Sequence, residues 1–269
     1  MLDQVSSYYA KTDRILVPMA KGDSSRRAFE FATDFAKIFG SEITALTIKD
    51  ETREVTWSDK VAVVMHAYKE SSQKGLKVIP KIQSARNVKE GIIREANSKN
   101  YDLVLMSFRS RSGVSASLFG GIGDYILKHS KNTTASLSIK RDTYPYKKIL
   151  VPMSEKLNTR KSVYLAAVMA RVMNSKFYLC DMRSFDRKKI HGFKTLMNAE
   201  IWKELKLDYE IAEIHGDDLR EAVQQRIYST SSDLVILGIR PDNYSNVRIN
   251  SEIKKIIKDA PIDSLLIKR

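Results

Sequence analysis

The sequence predicts an α/β protein made of two tandem, doubly wound domains, each built on a five-stranded parallel sheet. Three observations support this prediction. Residues 14–48 are repeated as residues 148–182, so that the apolar run "ILVPM" occurs twice. Apolar runs of strand length alternate with amphipathic segments of helical spacing. Strands that are joined through helices pair in parallel by right-handed crossovers, which gives an open sheet with helices on both faces.

The repeat also divides the chain into domains. The segment "YDLVLM" at residues 101–106 pairs with "SDLVIL" at residues 232–237, and both halves finish on "IKR". We therefore expect one domain over residues 1–141 and a second over residues 142–269, joined through "DTYPYK". The length of 269 residues suits two domains of ordinary size.

The first half contains five expected strands and four expected helices. The first strand is "RILVPM", and the first helix covers residues 24–39, where apolar side chains recur at helical spacing. This helix opens with serines suited to capping and is expected to end at Gly40, whose partner in the repeat is Asn174; both tolerate a left-handed cap. The later strands are expected at residues 42–48, 76–82, 102–106 and 135–141. The later helices are expected at residues 59–75, 87–100 and 123–128, and the second of these begins at a capping Asn87.

Composition favours a soluble intracellular protein. No apolar run reaches the roughly 18 residues of a membrane helix, and "MLDQVSSYYAKTD" has no apolar signal region, so we expect a cytoplasmic location without membrane insertion. The single cysteine, Cys180, lies in an apolar strand and is expected to be a buried core residue. The histidines lack the paired spacing of metal ligands, so no metal site is predicted. The net charge of +14 is spread over both halves, which makes nucleic-acid binding the least favoured class.

The topology of such a sheet locates the expected site. Ligands bind outside the carboxyl ends of the strands, at the point where the strand order reverses. That rule brings together the loop after the first strand, with Pro18, Met19 and Ala20, and the stretch "SFRSRSGVSASLFGGIG" at residues 107–123, after the fourth strand. The stretch closes on glycines before an apolar helical segment, and glycines let backbone N–H groups approach an anion at a helix start.

These segments resemble the universal stress protein family in its tandem two-domain form. "ILVPM" followed by "SSRRAFEFA" is similar to the family's first strand and helix, and "YDLVLMSFRSRSG" followed by "GGIGDYILKHS" is similar to its fourth strand, loop and last helix. The resemblance covers nearly the whole chain. It implies the adenine nucleotide alpha-hydrolase-like fold and a stress-linked regulatory or protective role. It also implies that the last strands of the two domains pair with each other, and that two copies form a homodimer.

The resemblance further implies that the first domain binds an adenine nucleotide, ATP or a related one. Nucleotide-binding members carry an aspartate after the first strand and, after the fourth, the loop Gly, two residues, Gly, nine residues, Gly, then Ser or Thr. Six residues of the first half fall on or beside this loop pattern: Ser107, Ser110, Gly120, Gly121, Ile122 and Gly123. Arg109 lies in the same loop and would add positive charge. Ala20 replaces the aspartate, which predicts weak binding, because one lost hydrogen bond costs about 0.5 to 1.5 kcal/mol.

The second half departs further from the family pattern. In the same register it carries Gly238, Pro241, Ser251 and Glu252, and Ser154 stands at the position of the aspartate. A carboxylate at the helix start would repel an anion, although it stabilises the helix as a first-turn residue. We therefore expect the second domain to act mainly as a packing and dimerisation partner.

No sequence motif predicts catalysis. The chain has no GxxxxGKS/T loop, no GxGxxG after the first strand and no SGGxDS loop, so we expect a binding protein and not an enzyme. The alternative function is a cytoplasmic regulatory module that has lost the nucleotide and works through protein contacts, in association with a membrane transporter. The replaced positions Ala20, Ser107 and Ser110 favour this alternative, whereas the retained glycines favour nucleotide binding.

Overall fold

The structure is a computed structural model that describes residues 12–54, 56–109, 121–186, 202–203, 205–239 and 247–268. These residues fall into two units, one that extends to Leu137 and one that begins at Ser138. Each unit carries helices and a parallel sheet, so the predicted α/β fold class is confirmed. Within the described residues, no helix is both long enough and apolar enough to cross a bilayer.

The first unit has the element order expected from the sequence. Its strands are β1 (Arg14–Pro18), β2 (Glu42–Asp50), β3 (Val78–Ala85), β4 (Leu103–Arg109) and β5 (Thr133–Ile139). Its helices are α1 (Asp23–Phe39), α2 (Trp57–Ser72), α3 (Val88–Ser98) and α4 (Ile122–His129). The strands lie in the order β3-β2-β1-β4-β5, and β1 pairs in parallel with both β2 and β4. The order therefore reverses between β1 and β4, where a ligand crevice is expected.

Three helix ends confirm the predicted caps. Gly40 follows α1 with a φ of 66°, in the left-handed region, and its repeat partner Asn174 has a φ of 51°. Asn87 caps α3, because its side-chain oxygen accepts a hydrogen bond from the N–H of Glu90 at 3.0 Å. At these positions the residue type alone was sufficient to predict the cap.

Two other helix starts differ from the prediction. Ser25 does not cap α1, whose N-cap is Gly22 with a φ of 119°, a conformation that favours glycine. The second helix begins at Trp57 and not at Asp59, because the Thr56 hydroxyl accepts the N–H of Asp59 at 3.4 Å. The prediction rested on the spacing of apolar residues, which does not indicate a polar cap.

Strand β3 begins and ends later than expected because a buried carboxylate accepts its polar side chains. Glu95 of α3 is only 1% exposed, and Lys81 and Gln83 each donate to its Oε2 at 2.6 Å. The Tyr101 hydroxyl donates to the other oxygen, Oε1, at 2.6 Å. Burial alone would raise the pKa of Glu95, but the hydrogen bonds from Lys81, Tyr101 and Gln83 outweigh it and hold that pKa below its usual value.

The second unit repeats the topology of the first. Its strands are β6 (Lys148–Met153), β7 (Lys176–Asp181), β8 (Tyr209–Glu213), β9 (Leu234–Ile239) and β10 (Asp263–Lys268). Its helices are α5 (Arg160–Met173), α6 (Leu219–Thr230) and α7 (Ser251–Asp259), and a 3-10 turn lies at Arg183–Phe185. The strand order is β8-β7-β6-β9-β10, and β6 pairs in parallel with β7 and β9. Cys180 of β7 is fully buried, as predicted, and its burial raises the pKa of the thiol to about 11.

Candidate functional site

The loop after β1 is held at the end of the sheet by hydrogen bonds. Pro18 ends β1, and the next residue, Met19, donates its N–H to the carbonyl oxygen of Leu46 in β2 at 2.6 Å. The hydroxyl of Ser25 folds back onto the loop, where it donates to the Ala20 carbonyl oxygen at 2.8 Å and accepts the Ala20 N–H at 3.2 Å. Ser25 is therefore used to fix Ala20, and not to cap α1.

An open cavity of about 350 Å³ adjoins this loop in the first unit. Met19, Ala20 and Lys21 of the loop line it, together with Arg26 and Phe29 from the start of α1. The facing wall is one side of α2, which contributes small apolar residues and three titratable ones: Ala62, Val63, Ala67, Asp59, His66 and Glu70. Sequence reasoning missed the wall formed by α2. The sequence contains a pattern that indicates this wall, because these residues recur at the three- and four-residue spacing of one helix face.

The end of β4 lies between two helices. The Ser107 hydroxyl is buried and accepts the N–H of Ala28 in α1 at 3.0 Å. The next residue, Phe108, packs against α4, where a Cβ added to Gly123 would lie 2.7 Å from its ring. Neighbouring residues of a strand point to opposite faces, so β4 separates α1 from α4 at this point. Arg109, the last residue of β4, is exposed.

The start of α4 has no described side-chain cap. Its N-cap is Gly121, with a φ of −98° and a ψ of −156°, and no side-chain oxygen among the described residues accepts from the first turn. Unpaired N–H groups at a helix start carry partial positive charge and suit an anion. The acidic residue of this turn, Asp124, is paired with Lys128 at 2.7 Å.

The structure gives different roles to the predicted site residues. Pro18, Met19 and Ala20 lie at the end of β1, beside the end of β4, as expected. The hydroxyl of Ser107 is hydrogen-bonded to the N–H of Ala28. Position 123 is a glycine beside Phe108, where the Cβ of a larger residue would overlap the ring. Gly121 and Ile122 form the start of α4. Ser110 and Gly120, also predicted for this site, lie outside the described residues.

The second unit fills the equivalent position with its own side chains. Asn158 is 1% exposed, and its amide donates to the carbonyl oxygens of Pro152 in β6 at 2.9 Å and Ile236 in β9 at 3.0 Å. It therefore bridges the two strands between which the strand order reverses. The Ser162 hydroxyl donates to the Asn158 side-chain oxygen at 2.8 Å. Buried protein side chains are thus hydrogen-bonded to both strands at this point.

The last helix of the second unit is capped, in contrast to α4. The side-chain oxygen of Asn250 accepts the N–H of Glu252 at 2.9 Å, and Glu252 lies in the first turn of α7, as predicted. Ser154, at the position of the family's aspartate, is buried and donates its hydroxyl to Asp186 at 3.1 Å. The helix start and the loop position are thus both hydrogen-bonded by side chains of the second unit.

The replacement Gly123→Ala tests the contact between α4 and β4. We expect it to destabilise the first unit by about 1 to 3 kcal/mol, because the added methyl group would overlap the ring of Phe108. Chemical denaturation followed by circular dichroism measures this loss. The double variant Gly123→Ala/Phe108→Leu should recover part of it, and a single variant as stable as the unmodified protein would contradict the close packing.

Comparisons with known proteins agree with the fold and with the sequence pattern. Residues 11–135 match the model of the universal stress protein family. A universal stress protein of Methanocaldococcus jannaschii is 25% identical over an alignment of 134 residues that covers 44% of this chain and 76% of the relative.

Two solved structures resemble the chain over almost its whole length. A universal stress protein from Archaeoglobus fulgidus has 17% identity and a TM-score of 0.67, over 97% of this chain and 98% of that one. The cytoplasmic domain of a prokaryotic cation chloride cotransporter has 10% identity and a TM-score of 0.61, over 96% of this chain and 95% of that one. At these identities the structures indicate the fold, whereas the family model adds the sequence relationship. The sequence similarity to the universal stress protein family thus covers residues 11–135 of this chain.

Proposed function

We propose that the first unit binds an adenine nucleotide weakly, ATP or a related one, and that this binding serves a stress-linked regulatory or protective role. The observation that carries the proposal is the start of α4. Gly121 leaves the first turn without a described side-chain cap, whereas Asn250 caps the equivalent helix of the second unit. Of the two units, the first therefore offers the better position for a phosphate.

The cavity beside β1 supports a ligand with both an apolar and a charged part. Phe29 and Val63 give it apolar surface suited to a base, and Lys21 and Arg26 add positive charge at its rim. Arg26 shares its charge with Glu30, whose carboxylate lies 3.3 Å away. In this proposal the base lies against the cavity and the phosphates lie toward the end of β4.

Two features make the proposed binding weak. Ala20 offers only a methyl group where an aspartate would accept a hydrogen bond, and its backbone N–H and carbonyl are already bonded to Ser25. The Ser107 hydroxyl is bonded to the N–H of Ala28, so we do not assign it a phosphate contact. Each lost hydrogen bond reduces affinity by up to about tenfold.

Thermal unfolding with and without Mg-ATP tests the proposal. At a ligand concentration of about 100 times the dissociation constant, binding stabilises the protein by roughly 2.7 kcal/mol. We expect the stabilisation to persist in Gly121→Ala, which adds no charge, and to disappear in Gly121→Glu, which places a carboxylate at the helix start. Glu252→Gly in the second unit serves as the matched control and should leave the ligand effect unchanged. Equal stabilisation of Gly121→Ala and Gly121→Glu would contradict the assigned position.

The second candidate function is a nucleotide-independent regulatory module that acts through protein contacts, beside a transporter. The methyl group of Ala20 and the internal bonding of Ser107 favour it, and the fold is shared with a cytoplasmic domain of a cotransporter. Absence of stabilisation by ATP, ADP and AMP would select this candidate. In both candidates we propose a binding protein and not an enzyme, so ATP mixed with the protein should be hydrolysed no faster than in buffer.

A further inference from the structure

An exposed aromatic stripe runs along α2 in the first unit. It consists of Trp57, Val61 and Tyr68, which are 49%, 45% and 39% exposed. Residues that are four and eleven positions apart lie close to one line of an α-helix, so these exposed side chains fall on one side of α2 over about three turns, with the buried Val64 between Val61 and Tyr68. Soluble proteins seldom leave large aromatic side chains open without a use.

The charges of α2 are divided between its sides. Asp59, His66 and Glu70 face the cavity, on the side away from the aromatic stripe. Lys60 directly precedes Val61, and Lys69 directly follows Tyr68, so each is rotated by about 100° from the stripe, one to either side. The row of apolar side chains is thus flanked by positive charge, with the acidic residues turned away.

A third lysine belongs to the same surface. The Nζ of Lys49, at the end of β2, lies 4.8 Å from the centre of the Trp57 ring. This contact covers one face of the indole ring, so a nucleic-acid base could not stack on that face. The position combines an amphipathic aromatic ring with an adjacent cation, a pairing that suits the headgroup region of a bilayer.

The size of the stripe argues against a stable protein partner. Half-exposed Trp57 and Tyr68 and the smaller Val61 together offer roughly 250 Å² of side-chain surface. A specific protein interface needs about 800 Å² on each partner. Pairing of a second chain along the neighbouring strand β3, at the edge of this unit's strand order, is disfavoured by Pro80, which has no N–H to donate.

We propose that the aromatic stripe of α2 and the flanking Lys49, Lys60 and Lys69 form a docking surface for an anionic phospholipid bilayer. The helix lies in the plane of the headgroups, with Trp57 and Tyr68 at the level of the interface. A surface of this size gives reversible attachment, because each lysine near an anionic bilayer adds about 1 kcal/mol and no helix of the described chain could insert across it.

Vesicles of phosphatidylcholine, alone or mixed with phosphatidylserine, provide the test. The chain has two tryptophans, and Trp202 is fully buried, so the variant Trp202→Phe leaves Trp57 as the fluorescent reporter. We expect the full chain to sediment with the mixed vesicles and not with phosphatidylcholine alone, with a blue shift of Trp57 emission. High salt should release it, because the attraction depends on charge.

Matched variants separate the aromatic stripe from the general positive charge of the protein. Trp57→Ser/Tyr68→Ser is expected to bind mixed vesicles about tenfold less tightly, since both aromatic contacts are lost. Tyr228→Ser removes another exposed aromatic residue, 68% exposed on α6 of the second unit, and should leave binding unchanged. All these side chains are exposed, so unchanged circular dichroism and melting are expected.

Three results would overturn the proposal. One is equal binding to vesicles with and without phosphatidylserine. Another is vesicle binding that is unaffected by Trp57→Ser/Tyr68→Ser, which would assign it to the net charge of +14 alone. The third is absence of vesicle binding together with stripe-dependent binding of a single-stranded RNA oligonucleotide, which would assign the surface to nucleic acid.

Discussion

Replacement of Gly238 by serine is expected to destabilise the second unit by about 3 kcal/mol or more. A Cβ at this position would lie 2.1 Å from the Ser162 Oγ, 2.6 Å from its Cβ and 2.8 Å from the Asn158 Oδ1. All three atoms belong to a buried hydrogen-bonded group that cannot move without losing its partners. Urea denaturation of Gly238→Ser, compared with the unmodified chain, measures the loss.

The first unit supplies the control for this variant. There the arrangement is reversed, because the strand carries Ser107 and the helix position equivalent to Ser162 is Ala28. The double variant Gly238→Ser/Ser162→Ala copies that arrangement and should regain about half of the lost stability, the contact with Asn158 remaining. If both variants lose the same stability, the clash with Ser162 is not the cause.

Replacement of Glu95 by alanine is expected to destabilise the first unit by about 3 kcal/mol. The carboxylate accepts hydrogen bonds from Lys81, Gln83 and Tyr101, all at 2.6 Å. Alanine would leave these three largely buried donors without their acceptor. The side chain of Lys81 is 26% exposed, so water can compensate its charge in part. Denaturation followed by circular dichroism gives the difference. A loss below about 1 kcal/mol would contradict the role of the carboxylate as the centre of this group.

The variant Glu95→Gln adds a pH test of the same group. The pKa of Glu95 is lower in the folded chain than its ordinary value of 4.5, so its ionised form is favoured by folding. Its contribution to stability is therefore complete above that ordinary value and is lost as the pH falls through the folded-state pKa. We expect the difference in stability between the unmodified chain and Glu95→Gln to be constant near neutral pH and to narrow in acid. A difference that widens in acid would contradict the lowered pKa.

Local signals in the sequence were sufficient to predict the topology. The repeated "ILVPM" strands, the helical spacing of the apolar residues and the left-handed caps at Gly40 and Asn174 were each predicted and are each found. These features depend on neighbours within a few residues, which a sequence displays directly. The fold class follows from them, because parallel strands joined by helices leave few arrangements.

The details that sequence reasoning missed depend on residues that are distant in the chain. The late end of β3 depends on Glu95, which follows in α3, and the closure of the second unit depends on Asn158 reaching Ile236. Gly123 was assigned to an anion by its place in a motif, whereas Phe108 explains why it must be small. The α2 wall of the cavity was missed because its residues belong to no motif and meet the β1 loop only after folding.

In the first half of the chain a hydroxyl group lies on the strand, at Ser107, whereas in the second half it lies on the helix, at Ser162. This difference has an evolutionary consequence. A recombinant that joined the Ser162 helix to the Ser107 strand would have two hydroxyl groups competing for one space, and the reciprocal recombinant would have none. Gene conversion that copied only one of the two segments would therefore be selected against. Such a pair would require the strand and the helix of each half to change together.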